Sequence, residues 1–210
     1  MRFWRFDTQK FVAMYLDSHV LTCICWTGNY PDMQIVAQQT FNLDPKIVQN
    51  LVLCNPTVLK NYLLSFITKY NLKMARYGLI LAGSTIIENL NELNNNLIEH
   101  KFSRISINGC VDNSTQNWSY LAHIPIGITL QYQLVFIQQN LNLIGITSFN
   151  GALLGLLKVS DFEITLDLKR LVLPKSSKVN LDVQLNLTDL NLVEHQALLA
   201  CLGLYIAWKE

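Results

Sequence analysis

The stretch from residue 118 to residue 157 constrains the fold more than any other part of this chain. It contains no Asp, Glu, Lys or Arg in 40 residues. Its apolar pattern predicts a strand over 118–124 that ends at Pro125, a helix over 127–140 and a strand over 141–147. A strand–helix–strand unit of this length favours a parallel crossover.

The two helices predicted in this stretch each have a regular apolar spacing. In the first, Leu130, Leu134, Ile137 and Leu141 recur at intervals that predict one apolar stripe. Ser148 can cap the second helix. Gly151 and Gly155 lie four residues apart on that second helix and would permit close backbone contact. Its apolar stripe consists of Phe149, Ala152, Leu153, Leu156 and Leu157.

The N-terminal part of the chain predicts a β-β-β-α-β order. Strands are expected over 11–16, 19–26 and 34–41, and the short turns between them indicate an antiparallel meander. Asn55 and Pro56 mark a helix start, as N-cap and first helical residue. A short buried strand over 77–81 follows. The stripe by which the helix should cover the sheet is Leu59, Tyr62, Leu63, Phe66, Ile67 and Tyr70.

Two other regions have weaker patterns. Residues 86–101 indicate the end of a strand and a short polar helix, and 102–117 indicate an exposed loop or hairpin. Alternation over 162–169 and 181–187 predicts two half-exposed strands around a turn at 174–178. Asn191 and Glu194 have capping-box spacing. The final amphipathic helix should carry Val193, Ala197, Cys201, Leu204, Tyr205 and Trp208 on one face.

Composition excludes several classes of function. Half of the residues are hydrophobic, 15% are charged and the net charge is +1, so there is no basic footprint for nucleic acid. The five cysteines are scattered without a CxxC pair, which favours buried free thiols over a metal site. No targeting segment or membrane span is visible, so we expect a cytoplasmic protein.

Several residues resemble the PilM-type proteins of type IV pilus and competence systems. In that family a Gln-rich helix with a glutamine–tyrosine pair precedes a strand and an "ALL" helix. The matching residues here are Gln131-Tyr132-Gln133, Leu141-Asn142-Leu143, Ile146-Thr147 and Ala152-Leu153-Leu154. The terminal helix is similar through Ala200, Leu202, Gly203 and Leu204, and LDSH at 16–19 stands where the family has "IDIG".

The resemblance implies an α/β, actin-like fold with a ribonuclease-H-like βββαβ start and a reduced second half. It divides the chain into a first actin-like subdomain (1–90), a variable loop or insertion (91–117) and a continuation with a C-terminal hairpin and helix (118–210). It implies a non-catalytic assembly protein, cytoplasmic and peripheral at the inner membrane. The expected partner is the cytoplasmic tail of a single-span, PilN-like membrane protein. No motif identifies the partner-binding residues.

An actin-type nucleotide site would place Asp17 and Ser18 in the first phosphate loop, with Asp17 positioning Mg²⁺. The glycine and lysine of that loop are missing here, and so is the acidic second loop. Asp17 could equally be a plain turn residue. We therefore expect no catalytic residue and no metal or other cofactor. An ATP-binding actin-like switch, using Asp17 and Ser18 with Mg-ATP, remains the alternative.

Other enzyme classes are poorly supported. A ribonuclease-H-type nuclease would need an acid at the end of the fourth strand, where Ala82 and Gly83 stand instead. The Gly83-Ser84-Thr85 turn lacks the rest of a phosphate-binding loop. The histidines, at positions 19, 100, 123 and 195, are expected to be structural or surface residues. An α/β domain of unrelated function that shares the β-β-β-α start is the third reading.

Overall fold

A central five-stranded sheet organises the protein in this computed structural model. The structure describes residues 10–28, 33–89, 102–110, 117–153, 165–167, 170–172 and 192–208. The sheet has the order β10-β6-β1-β2-β3. Its strands are β1 (Phe11–Leu16), β2 (Val20–Thr27), β3 (Gln34–Asn42), β6 (Arg76–Leu81) and β10 (Asn142–Ser148).

Strand direction divides the sheet into two parts. β1, β2 and β3 pair antiparallel, whereas β6 runs parallel to β1 and β10 runs parallel to β6. All of β1 and nearly all of β2 and β6 are buried, because helices cover both faces of the sheet. The predicted antiparallel meander and the predicted β-β-β-α-β start are both confirmed.

One small element within that start was missed from the sequence. A two-residue hairpin, β4 (Val48–Gln49) with β5 (Val52–Leu53), lies between β3 and the first helix. Its turn residues Asn50 and Leu51 both have positive φ, at 48° and 66°. A positive φ is rare for leucine, so this turn cannot be predicted from sequence patterns.

Helix α1 (Pro56–Tyr70) begins where the sequence predicts. The Asn55 side chain accepts a hydrogen bond from the Val58 backbone N–H, and Pro56 follows at the first helical position. The helix ends at Asn71, which adopts a left-handed conformation. The predicted stripe is confirmed, since its members are buried or pack against the core. The fully buried ones are Leu59, Leu63, Phe66 and Ile67.

The opposite face of the sheet is covered by α3 (Phe149–Leu153) and by α4 (Leu192–Trp208). Gly78 and Gly145 are register partners in β6 and β10, and together they leave room for α4. A Cβ at Gly78 would lie 2.8 Å from Leu204, and one at Gly145 would lie 2.8 Å from Trp208. The predicted final helix is therefore confirmed, and the sheet lies between two helical layers.

A second sheet lies between β6 and the next helix along the chain. It has three antiparallel strands in the order β7-β9-β8: β7 (Ile87–Asn89), β8 (Phe102–Cys110) and β9 (Asn117–Pro125). The hairpin expected over 102–117 is confirmed by the pairing of β8 with β9. Residues 90–101, where a short polar helix was predicted, lie outside the described residues.

The predicted crossover between the strand at 118–124 and the strand at 141–147 is wrong. β9 pairs with β7 and β8 in the second sheet, whereas β10 joins β6 in the central sheet. The parallel crossover therefore runs from β6 to β10 through α2 (Ile126–Gln138), with the second sheet inserted before the helix. Periodicity along one segment cannot reveal which sheet a strand joins. The division at residues 90 and 117 stays a prediction.

The apolar stripe predicted for α2 faces solvent over most of its length and does not pack on the sheet. Leu130, Leu134 and Ile137 are 49%, 53% and 66% exposed, although Leu141 just beyond the helix is buried. The buried face is formed instead by Ile128, Thr129, Tyr132, Val135 and Phe136. The helix is apolar on two sides, so spacing alone could not identify the side that packs on the sheet.

The C-terminal region differs from the predicted hairpin. β11 (Thr165–Asp167) pairs antiparallel with β12 (Arg170–Val172), whereas the predicted partner of the strand over 162–169 was the strand over 181–187. The second predicted strand, 181–187, lies outside the described residues, as do Leu156, Leu157 and Gly155.

Candidate functional site

The carboxyl ends of the parallel strands β1, β6 and β10 meet at one edge of the central sheet. In open α/β sheets, ligands bind in the crevice beyond these ends, where the strand order reverses. β1 leads into Asp17 and Ser18, β6 leads into the turn at 82–85, and β10 leads into Ser148. This edge therefore holds the two residues that the sequence offers as nucleotide contacts.

Asp17 makes several hydrogen bonds within its own turn. Its Oδ1 accepts the backbone N–H groups of His19 at 2.6 Å and of Val20 at 2.8 Å. Its Oδ2 accepts the Tyr15 hydroxyl at 3.2 Å, and its backbone N–H bonds to the Val20 carbonyl. The carboxylate thus stabilises the β1–β2 turn, which is the structural role that the sequence left open. Ser18, beside it, is half-buried.

The Tyr15 side chain contacts both this turn and the helical layer that α3 and α4 form. Its ring packs edge-on against Phe149, with centroids 6.0 Å apart. Burial raises the pKa of the Tyr15 phenol, and the nearby Asp17 carboxylate raises it further. Tyr15 therefore stays a neutral hydrogen-bond donor to Asp17 across the physiological range.

The turn after β6 is filled by an apolar side chain. A Cβ added at Gly83 would lie 2.9 Å from Leu51, so the Leu51 side chain packs directly on this glycine and would have to shift to admit a larger residue. The turn is held by hydrogen bonds from the Ala82 N–H to the Leu16 carbonyl and from the Ile86 N–H to the Gly83 carbonyl. Leu51 is itself fully buried.

Two neighbouring residues of α2 hold Leu51 in place. The Tyr132 hydroxyl donates to the Leu51 carbonyl at 3.0 Å, and the Gln131 side chain accepts the Leu53 N–H at 3.0 Å. Burial raises the pKa of the Tyr132 phenol, so it remains a donor. The Gln131-Tyr132 pair of the predicted family motif therefore supports the β4–β5 hairpin, which the sequence pattern does not show.

The third strand end is a helix cap. The Ser148 hydroxyl accepts the Gly151 N–H at 3.1 Å, which confirms the predicted capping of α3. Ser148 is fully buried, and its neighbour Thr147 is 1% exposed. Neither side chain is open to a ligand that approaches from solvent.

The remaining candidate groups are dispersed. His19 is exposed and His123 is buried in β9, whereas His100 and the side chain of His195 lie outside the described part. Cys23, Cys25 and Cys201 are buried and form no disulfide with any described residue, and burial raises the pKa of Cys23 and of Cys201. Among the described residues, no group of three or more His, Cys, Asp or Glu could hold a metal ion.

Together the strand order and this edge define a mixed α/β protein with a five-stranded mixed sheet between helical layers. Where the structure describes the chain, it contains no helix with the length and apolarity needed to span a membrane. No protein-family model and no curated protein sequence matches the chain.

Among solved structures, the chain is similar to the PilM–PilN type IV pilus biogenesis complex. The TM-score is 0.53 at 10% identity, over 69% of this chain and 48% of that chain. It is also similar, with a TM-score of 0.44 at 9% identity over 68% of this chain and 58% of the other, to the cytoplasmic domain of EpsL. EpsL is an inner-membrane component of the type II secretion system of Vibrio cholerae.

The chain thus spans about half the length of the PilM–PilN chain that it matches. At this level of identity the similarity establishes the shared fold. Of the fold expected from the PilM-type resemblance, the mixed α/β architecture with its five-stranded mixed sheet is confirmed.

Proposed function

We propose that this chain is a non-catalytic assembly protein of a type IV pilus-like or secretion complex at the inner membrane. The observation that carries the proposal is the fold shared with the PilM–PilN complex, over 69% of this chain. In this role the protein works in the cytoplasm and reaches the membrane through a partner.

The proposed fold is actin-like, with its second half reduced. Residues 10–153 contain the β-β-β-α-β start, the inserted sheet and the α2–β10–α3 continuation. Only residues 154–191 separate α3 from α4, which returns to the sheet of the first half. This interval is much shorter than residues 10–153, which hold the first half, so it is too short for a second half of the same kind.

The lack of catalysis is supported by the carboxyl edge of the sheet. The Asp17 carboxylate already accepts two backbone N–H groups and one hydroxyl. The side chain of Leu51 packs on Gly83, so an apolar group fills the turn after β6 at the same edge of the sheet. Both features favour a scaffold over the ATP-binding switch.

A thermal-shift titration with Mg-ATP separates the scaffold from the switch. A ligand that binds only the folded state stabilises it by about 2.7 kcal/mol at 100 times its Kd. We expect no shift at millimolar Mg-ATP. A saturable shift that Asp17→Ala removes would establish the nucleotide switch instead.

The proposed partner is the cytoplasmic tail of a single-span, PilN-like membrane protein. The test is isothermal titration calorimetry of the full chain with a synthetic tail from a single-span protein encoded beside it. A scrambled peptide of the same composition is the control. Saturable binding of the native tail alone supports the function, and no binding of any neighbouring tail would contradict it.

A further inference from the structure

Helix α2 presents an apolar face to solvent. Ile126, Leu130, Leu134 and Ile137 are 45%, 49%, 53% and 66% exposed. Since an α-helix turns about 100° per residue, these four side chains lie within an arc of about 80°. The stripe is contiguous, unlike the isolated apolar residues that are normal on protein surfaces.

The stripe points away from the body of the protein. On the same helical wheel, the buried side chains Ile128, Tyr132 and Val135 lie about 180° from its centre. Those residues pack in the core between α2 and the central sheet. Closer packing of α2 on its own sheet therefore cannot cover the stripe.

The lack of charged side chains on α2 indicates what kind of surface can bind the stripe. α2 has no Asp, Glu, Lys or Arg, and the exposed residues flanking the stripe include Gln133 and Gln138. Helices that lie in a lipid interface have a polar face rich in Lys and Arg beside the apolar one. A neutral stripe with amide edges fits an uncharged protein surface better than a membrane.

The small apolar area of the stripe argues against a second copy of this chain as its partner. A fully buried leucine or isoleucine side chain removes roughly 100 Å² of apolar surface from water. Four half-exposed ones therefore offer ~200 Å², whereas a stable interface buries about 800 Å² on each partner. An area of this size suits a weak, transient contact with a single secondary-structure element of a partner, and not a stable dimer.

That element is a helix. The backbone groups of α2 are bonded within the helix, so an incoming strand would find no partners there. Side chains spaced at four, four and three residues form a ridge that packs into the groove of a second helix. We propose that the α2 stripe (Ile126, Leu130, Leu134 and Ile137) binds an amphipathic helix of a partner protein through an uncharged aliphatic face. This goes beyond the proposed function, because it needs neither the membrane protein's tail nor its site.

The probe is a synthetic 18-residue helix of Ala and Gln with leucines at positions 4, 8, 11 and 15. A peptide with the same leucines scrambled around the helix is the control probe. Binding to the full chain is followed by fluorescence anisotropy. The double variant Leu130→Gln/Leu134→Gln tests the stripe. Leu64→Gln is the matched control, because Leu64 is a 38% exposed leucine on α1.

We expect the leucine-faced helix to bind the wild-type chain at least ~10-fold more tightly than the scrambled one. The double variant should lose at least ~10-fold in affinity, and Leu64→Gln should lose none. Circular dichroism should show that both variants remain folded. Equal binding of the two peptides, or equal loss in both variants, would overturn the proposal.

Two further measurements test whether a second copy of this chain or a membrane binds the stripe instead. Light scattering that shows a dimer, converted to monomer by the double variant, would assign the stripe to a second copy. Flotation with phosphatidylcholine vesicles, with or without phosphatidylglycerol, that depends on Leu130 and Leu134 would assign it to a membrane. Either result contradicts a partner helix.

Discussion

Replacing Gly203 with alanine has two opposing effects on the stability of the protein, one through helix propensity and one through packing. Gly203 lies in α4 where this helix crosses α3. In an exposed helix interior, alanine is more stable than glycine by about 0.8–1.0 kcal/mol. Propensity alone therefore predicts that Gly203→Ala stabilises the protein.

The structure predicts the opposite sign. A Cβ at position 203 would lie 2.2 Å from the Ala152 carbonyl oxygen and 3.0 Å from its carbonyl carbon. These are backbone atoms, so neither can rotate away as a flexible side chain would, and α4 must shift. Overpacking costs about 1–3 kcal/mol, and a clash with backbone atoms belongs in the upper part of that range, about 2–3 kcal/mol, which exceeds the gain in propensity. We expect a net destabilisation of about 1–2 kcal/mol.

The assay is urea unfolding followed by circular dichroism at 222 nm, with Gly127→Ala as the matched control. Gly127 is also helical, and a Cβ there would meet nothing within 4 Å. The control should be neutral or up to ~1 kcal/mol more stable. In thermal melts of a chain of this size, 1–2 kcal/mol corresponds to a decrease in Tm of roughly 2–8 °C. If Gly203→Ala gains as much stability as Gly127→Ala, the close packing of α4 on α3 is refuted.

Three further substitutions test the hydrogen bonds that shape the carboxyl edge and the α4 layer. Tyr132→Phe removes the bond to the Leu51 carbonyl and should lower the free energy of unfolding by about 0.5–1.5 kcal/mol in urea titrations. Asp17→Ala leaves two turn N–H groups without their acceptor and should cost about 1–2 kcal/mol by the same measurement. The third concerns Tyr205, whose hydroxyl donates to the Gly28 carbonyl; burial raises its pKa from 10.0 to about 12. The folded protein holds the Tyr205 proton more tightly than the unfolded chain does. The stability that results is complete below pH 10 and is lost as the pH rises towards 12. Tyr205→Phe should therefore lose less stability than wild type over this interval, as measured by Tm against pH.

Each of these expectations has a contrary outcome. Unchanged stability in Tyr132→Phe would mean that the hairpin does not depend on α2. An Asp17→Ala protein as stable as wild type would leave the carboxylate without a structural role. Parallel loss of Tm in wild type and Tyr205→Phe between pH 10 and 12 would assign the alkaline transition to other buried groups.

The α2 helix shows where sequence reasoning reached its limit at the candidate sites. The sequence IGITLQYQLVFIQ is apolar around most of its circumference, so both Leu130 and Val135 belong to plausible stripes. Only the position of the sheet decides that Val135 is buried and Leu130 is exposed. The sequence alone therefore could not show that the stripe containing Leu130 lies at the surface.

The role of Gln131 and Tyr132 was equally beyond sequence reasoning. The pair was recognised as a motif, but its partners Leu53 and Leu51 lie 78 and 81 residues away in the chain. Contacts at that separation follow from tertiary packing. By contrast, Asp17 bonds to residues two and three positions away, so its role in the turn could be anticipated.

The sequence by itself determined the local elements of this protein. Strand periodicity, the Asn55–Pro56 helix start and the Ser148 cap depend on interactions within a few residues, and the meander with its following helix and strand results from them. Tertiary structure alone decided which sheet β9 joins, which face of α2 is buried and how closely α4 approaches α3. The physical reason is that burial is a property of the assembled layers. The sequence shows that an apolar side chain is stabilised by burial. Which strand or helix buries it is decided by how the layers pack together.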